Sequence, residues 1–448
     1  MIKAVHKPTG KVLLTSSANS PESSFRKTVE AAFPNICPSE IEIVSRDRKS
    51  PLGPPRQDHK PSSKEVVWKG SATDMGGYAN MNREISLRLF LHHGFKVKLE
   101  ILPTGPQVDQ TTRNVLKALE NTKLDSESAA PLVIGFTPMT VAKTARKLIF
   151  FTMMETQGLH QEFARRCNEA DEIWVPCKFY KDVFFNSGVL KPISVIPLGV
   201  NQYLYAPGAK EPSLRYDEFP SGKVVNQTPK DCFKFMSLFG WSYRKGPDVL
   251  CRSFLNEFDG DDDVALVIYS RYMGSSAEQH RAYVRKEINE YYSECKKEKP
   301  ARIYYCGDEI PIADLPGCYC ANDCFVFCSR GEGFGLPVIE AGACGLPVIS
   351  AYHTSMTEYL DDDVSWLVRP KQIASANEKL CWISEYYRDQ QFVVLGEEET
   401  KEFSRLMRGV FEDAIGASQK ASLFKERILR DYTWDRCAQR VADRLMSS

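Results

Sequence analysis

Ser329-Arg-Gly-Glu332-Gly-Phe-Gly-Leu-Pro-Val-Ile-Glu340-Ala-Gly-Ala-Cys-Gly345-Leu-Pro-Val-Ile349 reads as a glycine-rich loop, a helix, a glycine stop and a strand. Gly331, Gly333 and Gly335 let the backbone take positive φ and approach a ligand closely. Pro337 suits the start of a helix, where its missing N–H costs nothing. Such a loop aims free N–H groups and the positive end of a helix dipole past the strand ends, and a phosphate is the natural occupant. Glu332 and Glu340 stand eight positions apart, so two carboxylates can meet two ends of one ligand, an arrangement that suits sugar hydroxyls. Taken singly, Glu340 would read as a dipole-complementing residue of the first helical turn and Glu332 as a solvated loop acid. The surrounding glycines favour the ligand reading.

The flanking sequence repeats one rhythm. Phe233–Leu238, Val264–Tyr269, Ile303–Tyr305, Cys324–Phe327 and Val348–Ile349 read as strands, with a helix over Val249–Phe258 and a helical tail from about Ser418. An earlier α/β half has strands at Val66–Trp68, Lys96–Ile101, Leu132–Ile134, Leu148–Thr152, Glu172–Val175 and Ser194–Ile196. Its first helix puts Met81, Ile85 and Leu89 on one face and stops at Gly94. Pro207–Lys230, rich in Pro, Gly, Ser, Asn and Asp, is expected to be an interdomain linker. Residues 1–63 form an appendage with strands near Lys11–Thr15 and Ile41–Val44, a helix over Ser24–Phe33, and a Pro-rich linker from Ser50 to Ser63.

A length of 448 residues suits two or three domains, and 43% hydrophobic with 26% charged residues excludes a disordered or collagen-like chain. The formal charge is zero, so no global field steers the chain onto nucleic acid or anionic lipid, although both ends are mildly basic. The longest apolar runs, such as Val264–Tyr269, have strand length and fall short of a membrane span. Met1–Gly10 lacks the apolar core of a signal peptide, and 14 scattered cysteines suit a reducing compartment, so a cytoplasmic location is expected. No metal is expected. Cys318-x-Cys320-x3-Cys324-x3-Cys328 lacks paired C-x2-C knuckles and reads as small buried side chains. The triplets Asp261–Asp263 and Asp361–Asp363 precede strands instead of following them, as turns do.

The segment containing Glu332 and Glu340 resembles the donor-site signature of retaining GT-B glycosyltransferases of the family-4 type, also described as glycosyl transferases group 1. Phe239-Gly-Trp-Ser-Tyr-Arg244-Lys245-Gly246 resembles the strand-to-helix turn of that family, and Gly76-Gly77-Tyr78 its N-terminal glycine loop. Asp171–Pro176, Val195–Val200 and Tyr432-Thr-Trp434 continue the resemblance in order over about residues 66 to 445. It implies an α/β GT-B architecture of two Rossmann-like domains facing across a cleft. The acceptor domain would span 64–210, joined by a C-terminal helix over 425–448, and the donor domain 230–424.

The same resemblance implies roles. Lys245 and Arg244 would neutralise the diphosphate of a nucleotide sugar. Backbone groups of Gly333, Phe334, Gly335 and Leu336 would hold phosphate or sugar oxygens, with Gly77 approaching from the other domain. Glu332 would bind hydroxyls of the transferred sugar and Glu340 the ribose. No cofactor is implied beyond the nucleotide diphosphate sugar as co-substrate, and retention would proceed by front-face attack without a dedicated base. Relatives often carry a histidine after an early strand, whereas Leu132–Met139 has none, so Glu155 and His160 are the acceptor-side candidates. The expected activity is transfer of a hexose from a UDP- or GDP-linked donor to a glycan or small-molecule hydroxyl. The alternatives are a transferase acting on modified nucleic-acid bases through the basic appendage, and a non-catalytic nucleotide-sugar-binding module.

Overall fold

Short runs of β-branched and aromatic residues alternate with longer amphipathic stretches, and in the two main sheets most runs become parallel strands joined by covering helices. The computed structural model describes residues 2–6, 11–16, 41–45, 64–103, 108–141, 146–271, 276–376 and 385–447. At the N-terminus, β1 (Ile2–His6), β2 (Lys11–Ser16) and β3 (Ile41–Ser45) form an antiparallel sheet in the order β2-β1-β3. The helix expected over Ser24–Phe33 and the Pro-rich linker lie outside the described residues.

The chain divides into two compact units. The first contains Met1–Met153, Gly158–Val195 and Ala442–Ser448, and the second contains Met154–Gln157 and Ile196–Val441.

In the first unit, β4 (Glu65–Gly70), β5 (Lys96–Ile101), β6 (Leu132–Gly135), β7 (Leu148–Phe151), β8 (Glu172–Val175) and β9 (Ile193–Val195) form an all-parallel sheet ordered β5-β4-β6-β7-β8-β9. Helices α1 (Gly77–His92), α2 (Gln110–Glu120), α3 (Gln161–Cys167) and α4 (Lys178–Asn186) connect it. Met81, Ile85 and Leu89 of α1 are fully buried, and Gly94 takes the positive φ of a chain reversal. The order reverses between β4 and β6. There Asn82 bonds Ser71 O and Gly135 O at 2.8 Å each and accepts from Trp68 Nε1, so one side chain ties the loop after β4 to the end of β6.

In the second unit, β12 (Phe233–Gly240), β13 (Val264–Arg271), β14 (Arg302–Cys306), β15 (Cys324–Phe327), β16 (Val348–Ala351) and β17 (Trp366–Val368) are parallel, with β12 and β15 adjacent at the centre. Helices α5 (Pro247–Glu257), α6 (Ala277–Glu294), α7 (Leu315–Cys320) and α8 (Leu336–Cys344) connect the strands. The core joins Phe235, Leu266, Ile303 and Val326 of the sheet to Phe254 of α5 and Val284 of α6. Each such side chain contributes about 1.5–3 kcal/mol on burial.

Two expectations change. The stretch read as a linker contains β10 (Tyr216–Phe219) and β11 (Val224–Val225), which extend the sheet antiparallel beyond β14. Asp217 of β10 is 1% exposed and pairs with Arg281 at 2.7 Å and with Arg285, so ion pairs to α6 hold a strand near the sheet edge that hydrophobic pattern does not mark. The helical tail begins earlier than Ser418. It comprises α9 (Glu397–Glu412), α10 (Ala414–Asp431) and α11 (Trp434–Met446), after a separate hairpin of β18 (Ile373–Ser375) and β19 (Gln391–Val393). Among the described residues no helix is long and apolar enough to cross a membrane.

Candidate functional site

Strands β12 and β15 lie side by side, yet the chain leaves them toward opposite flanks of the sheet, and this opens a crevice beyond their carboxyl ends where doubly wound folds bind ligands. The loop after β12 runs through Tyr243-Arg244-Lys245 to Gly246, and the loop after β15 is the Ser329–Gly335 stretch. The two loops press together. Gly246 has φ +70°, and a Cβ there would lie 2.0 Å from Cys328 O. Arg330 N–H donates to Arg244 O at 2.6 Å. The Arg330 guanidinium grips Asp248 of α5 with two bonds of 2.8 and 2.9 Å and lies 3.9 Å over the Tyr243 ring. Such a forked, stacked arginine holds geometry that a lysine could not.

This scaffold brings the three predicted charged residues together. Lys245 Nζ lies 2.5 Å from Glu332 Oε1, and Arg244 Nη1 lies 3.3 Å from the same oxygen. Arg244 Nη1 also donates to Gly331 O at 2.5 Å, and Ser329 Oγ donates to Glu332 Oε1 at 2.5 Å. All three charged side chains are nearly buried. Burial pushes the Glu332 carboxyl up, but the Lys245 and Arg244 charges outweigh it and hold the group below the usual carboxylate range. For Lys245, burial, helped by repulsion from Arg244, outweighs the pull of Glu332 and lowers its affinity for a proton. Two fixed cations thus share one buried carboxylate.

Gly335 caps α8 with φ +80°, and Tyr359 Oη fixes the turn by donating to Phe334 O at 2.7 Å. The Phe334 ring packs on Tyr359 and Tyr432, so only its main chain belongs to the loop surface. Gly333 is buried and Leu336 half-buried. Glu340 sits in the second turn of α8 and not the first, 8% exposed, and accepts a 2.8 Å bond from Tyr319 Oη of α7. Glu332 and Glu340 therefore belong to one loop-and-helix segment, each with its own hydroxyl donor.

Several supporting residues escaped sequence reasoning. His353 is buried and its Nε2 donates to Ser329 O at 2.8 Å, while burial lowers its pKa to about 4 and leaves it neutral. Its Nδ1 is buried without a hydrogen-bond partner among the described residues. Thr354 has φ +48°, rare for a β-branched residue, and its Oγ1 accepts from Glu332 N–H at 3.3 Å. Ser329 stands inside the quoted motif, but nothing in one sequence separates its hydroxyl from any other loop serine. The residues expected on the acceptor side part company. Glu155 belongs to the second unit, where its carboxylate faces Arg244 at 3.7 Å and takes a bond from Tyr387. His160 belongs to the first unit and caps α3, its Nδ1 accepting from Glu162 N–H at 3.3 Å. Gly77 opens α1 in the first unit with open space around the position of a Cβ. Cys324 and Cys328 are buried in and just after β15, and burial pushes both thiols up. The aspartate triplets lie in turns, with Asp262 paired to Arg408 and Asp361 to Arg427.

Residues 232–386 match the profile of the family described as glycosyl transferases group 1. The O-antigen chain mannosyltransferase B of Escherichia coli is 47% identical over 60 residues, 13% of this chain and 16% of that protein. The stretches matched to curated relatives span between 16% and 25% of those relatives' own length. Anabaena Alr3699/HepE, solved in complex with UDP and glucose, superposes with a TM-score of 0.59 at 14% identity, covering 86% of this chain and 100% of that one. Sucrose-phosphate synthase of Thermosynechococcus elongatus gives 0.59 at 13% identity over 86% and 98%. The chain has the GT-B fold, and its residues 232–386, which hold the two loops of the charged crevice, are similar to the glycosyl transferases group 1 family.

Proposed function

We propose that the protein is a retaining hexosyltransferase that takes a hexose from a UDP- or GDP-linked donor and places it on a hydroxyl of a glycan or small molecule. One observation carries this reading: Lys245 and Glu332 meet at 2.5 Å in the crevice beyond β12 and β15, with Arg244 beside them. In a nucleotide sugar the diphosphate and the sugar hydroxyls are neighbours through one glycosidic oxygen. A cation serving the first and a carboxylate serving the second must therefore be neighbours too.

As the glycosidic bond breaks, negative charge grows on the departing phosphate oxygen, where fixed cations lower the barrier most. Lys245 and Arg244 supply that charge, and N–H groups at the α8 terminus supply more. The reading therefore needs no metal. Glu332 orients the sugar through its hydroxyls, and Glu340, fixed by Tyr319, takes the ribose. The acceptor hydroxyl attacks C1 on the face that the phosphate leaves, forming the new C1–O bond while its proton passes to the departing phosphate oxygen. Lys245→Ala and Glu332→Ala are each expected to lower kcat by about 10²–10³-fold in an intact fold. Unchanged turnover of the preferred donor in both variants would defeat the proposal, and donor hydrolysis without acceptor separates an enzyme from a binding module.

A further inference from the structure

On the reading that Arg244 receives the donor diphosphate, we propose that Glu155 is a built-in counter-charge competing with that diphosphate for Arg244, and that Tyr387 sets the strength of the competition. Arg244 points Nη1 at Gly331 O and Glu332, whereas its Nη2 faces Glu155 Oε1 at 3.7 Å. The other carboxylate oxygen is engaged elsewhere: Tyr387 Oη donates to Glu155 Oε2 at 2.8 Å. A forked two-bond pair with arginine is the strong arrangement for a carboxylate, and a single long approach is a weak one. Tyr387 thus withholds the oxygen that would complete the fork.

The surroundings keep Glu155 in this half-committed position. Its carbonyl is packed against the Gly331 backbone so closely that a Cβ at Gly331 would stand 1.9 Å from Glu155 O. Two residues on, Gln157 N–H donates to Gln391 O of β19 at 2.9 Å. Tyr387 is 5% exposed and meets Phe392 of β19 edge-on, and burial first, then the charge of Glu155, pushes its hydroxyl up so that it remains a donor. The β18–β19 hairpin, which adds nothing to the main sheet, carries this control. A nucleoside diphosphate bears more negative charge than its sugar ester, so a competing carboxylate at Arg244 weighs most against the product and favours its release.

The two touching residues should then act with opposite sign. Titration calorimetry of UDP, GDP and ADP against the full chain reads this directly, with melting temperatures verifying the fold of each variant. Glu155→Gln, which keeps shape and removes charge, is expected to tighten the preferred nucleotide by roughly threefold or more. Tyr387→Phe frees Oε2 for Arg244 and is expected to weaken it. Arg244→Ala weakens binding and abolishes the effect of Glu155→Gln in the double variant. Weaker binding by Glu155→Gln, or tightening that survives without Arg244, overturns the competition while leaving the donor site standing. Nucleotide affinity unchanged by both Arg244→Ala and Lys245→Ala would instead overturn the donor-site reading, and this inference with it.

Discussion

His353 shows how much a site depends on residues that brace its loops through main-chain bonds. It is neutral in the folded protein because burial lowers its pKa to about 4, against about 6.5 in an unfolded chain. The unfolded state therefore binds a proton between pH 6.5 and about 4 that the folded state refuses, and stability falls as pH drops through that window. Between pH 7 and 5 this costs about 2 kcal/mol. His353→Gln, which can keep a donor toward Ser329 O, is expected to lose about that much less over the same interval in urea titrations. Equal losses in both proteins would show that another group governs the acid limb. Glu332 acts lower: its carboxyl is held below the usual range, so its stabilisation is full above that range and disappears as pH falls through the depressed value. Glu332 stood out by its glycine-rich setting, and Lys245 and Arg244 by the resemblance of their turn to a known family. His353 and Ser329 did not, because their partners are a main-chain carbonyl and one carboxylate oxygen, which no pattern of residue types encodes.

At the next scale the decisive elements are two strand-to-helix turns. Gly246 ends the turn after β12 with a left-handed backbone, and its missing Cβ lets Cys328 O come close. Gly246→Ala must strain φ and push the β15 loop away, at a cost of about 3 kcal/mol. A lower melting temperature together with a larger loss of turnover than stability explains is the expected result, since Lys245 and Glu332 sit on the two loops that would separate. A stable, fully active Gly246→Ala protein would mean that the loops are not set by this contact. The β10–β11 hairpin and the β18–β19 hairpin show the opposite case. Both are short, their flanks are rich in polar or turn residues, and they are held by Asp217 with its arginines or by main-chain bonds to distant segments. Local pattern is silent about such elements because their stability comes from partners far away in sequence.

For the molecule as a whole, zero net charge leaves local charge to govern recognition, and in this reading Lys245 and Arg244 are the cations, among the described residues, that meet a diphosphate. A nucleotide sugar that binds the native state alone stabilises it by mass action, by about 2.7 kcal/mol at a hundred times its Kd, and so raises the melting temperature. In a panel of UDP-, GDP- and ADP-sugars, one base is expected to stabilise the protein strongly and the Lys245→Ala protein hardly at all. A panel without any shift would remove the donor site. Taken alone, the amino-acid sequence determined the α/β rhythm, the parallel strands and the glycine-flanked charges, because apolar periodicity and missing Cβ atoms are local properties. Only the tertiary structure decided that β12 and β15 are neighbours, that Lys245 and Glu332 share one oxygen, and that Glu155 stands with Arg244. Those are pairings between segments about 90 residues apart or more, selected by which surfaces bury best together and which buried charges find a partner.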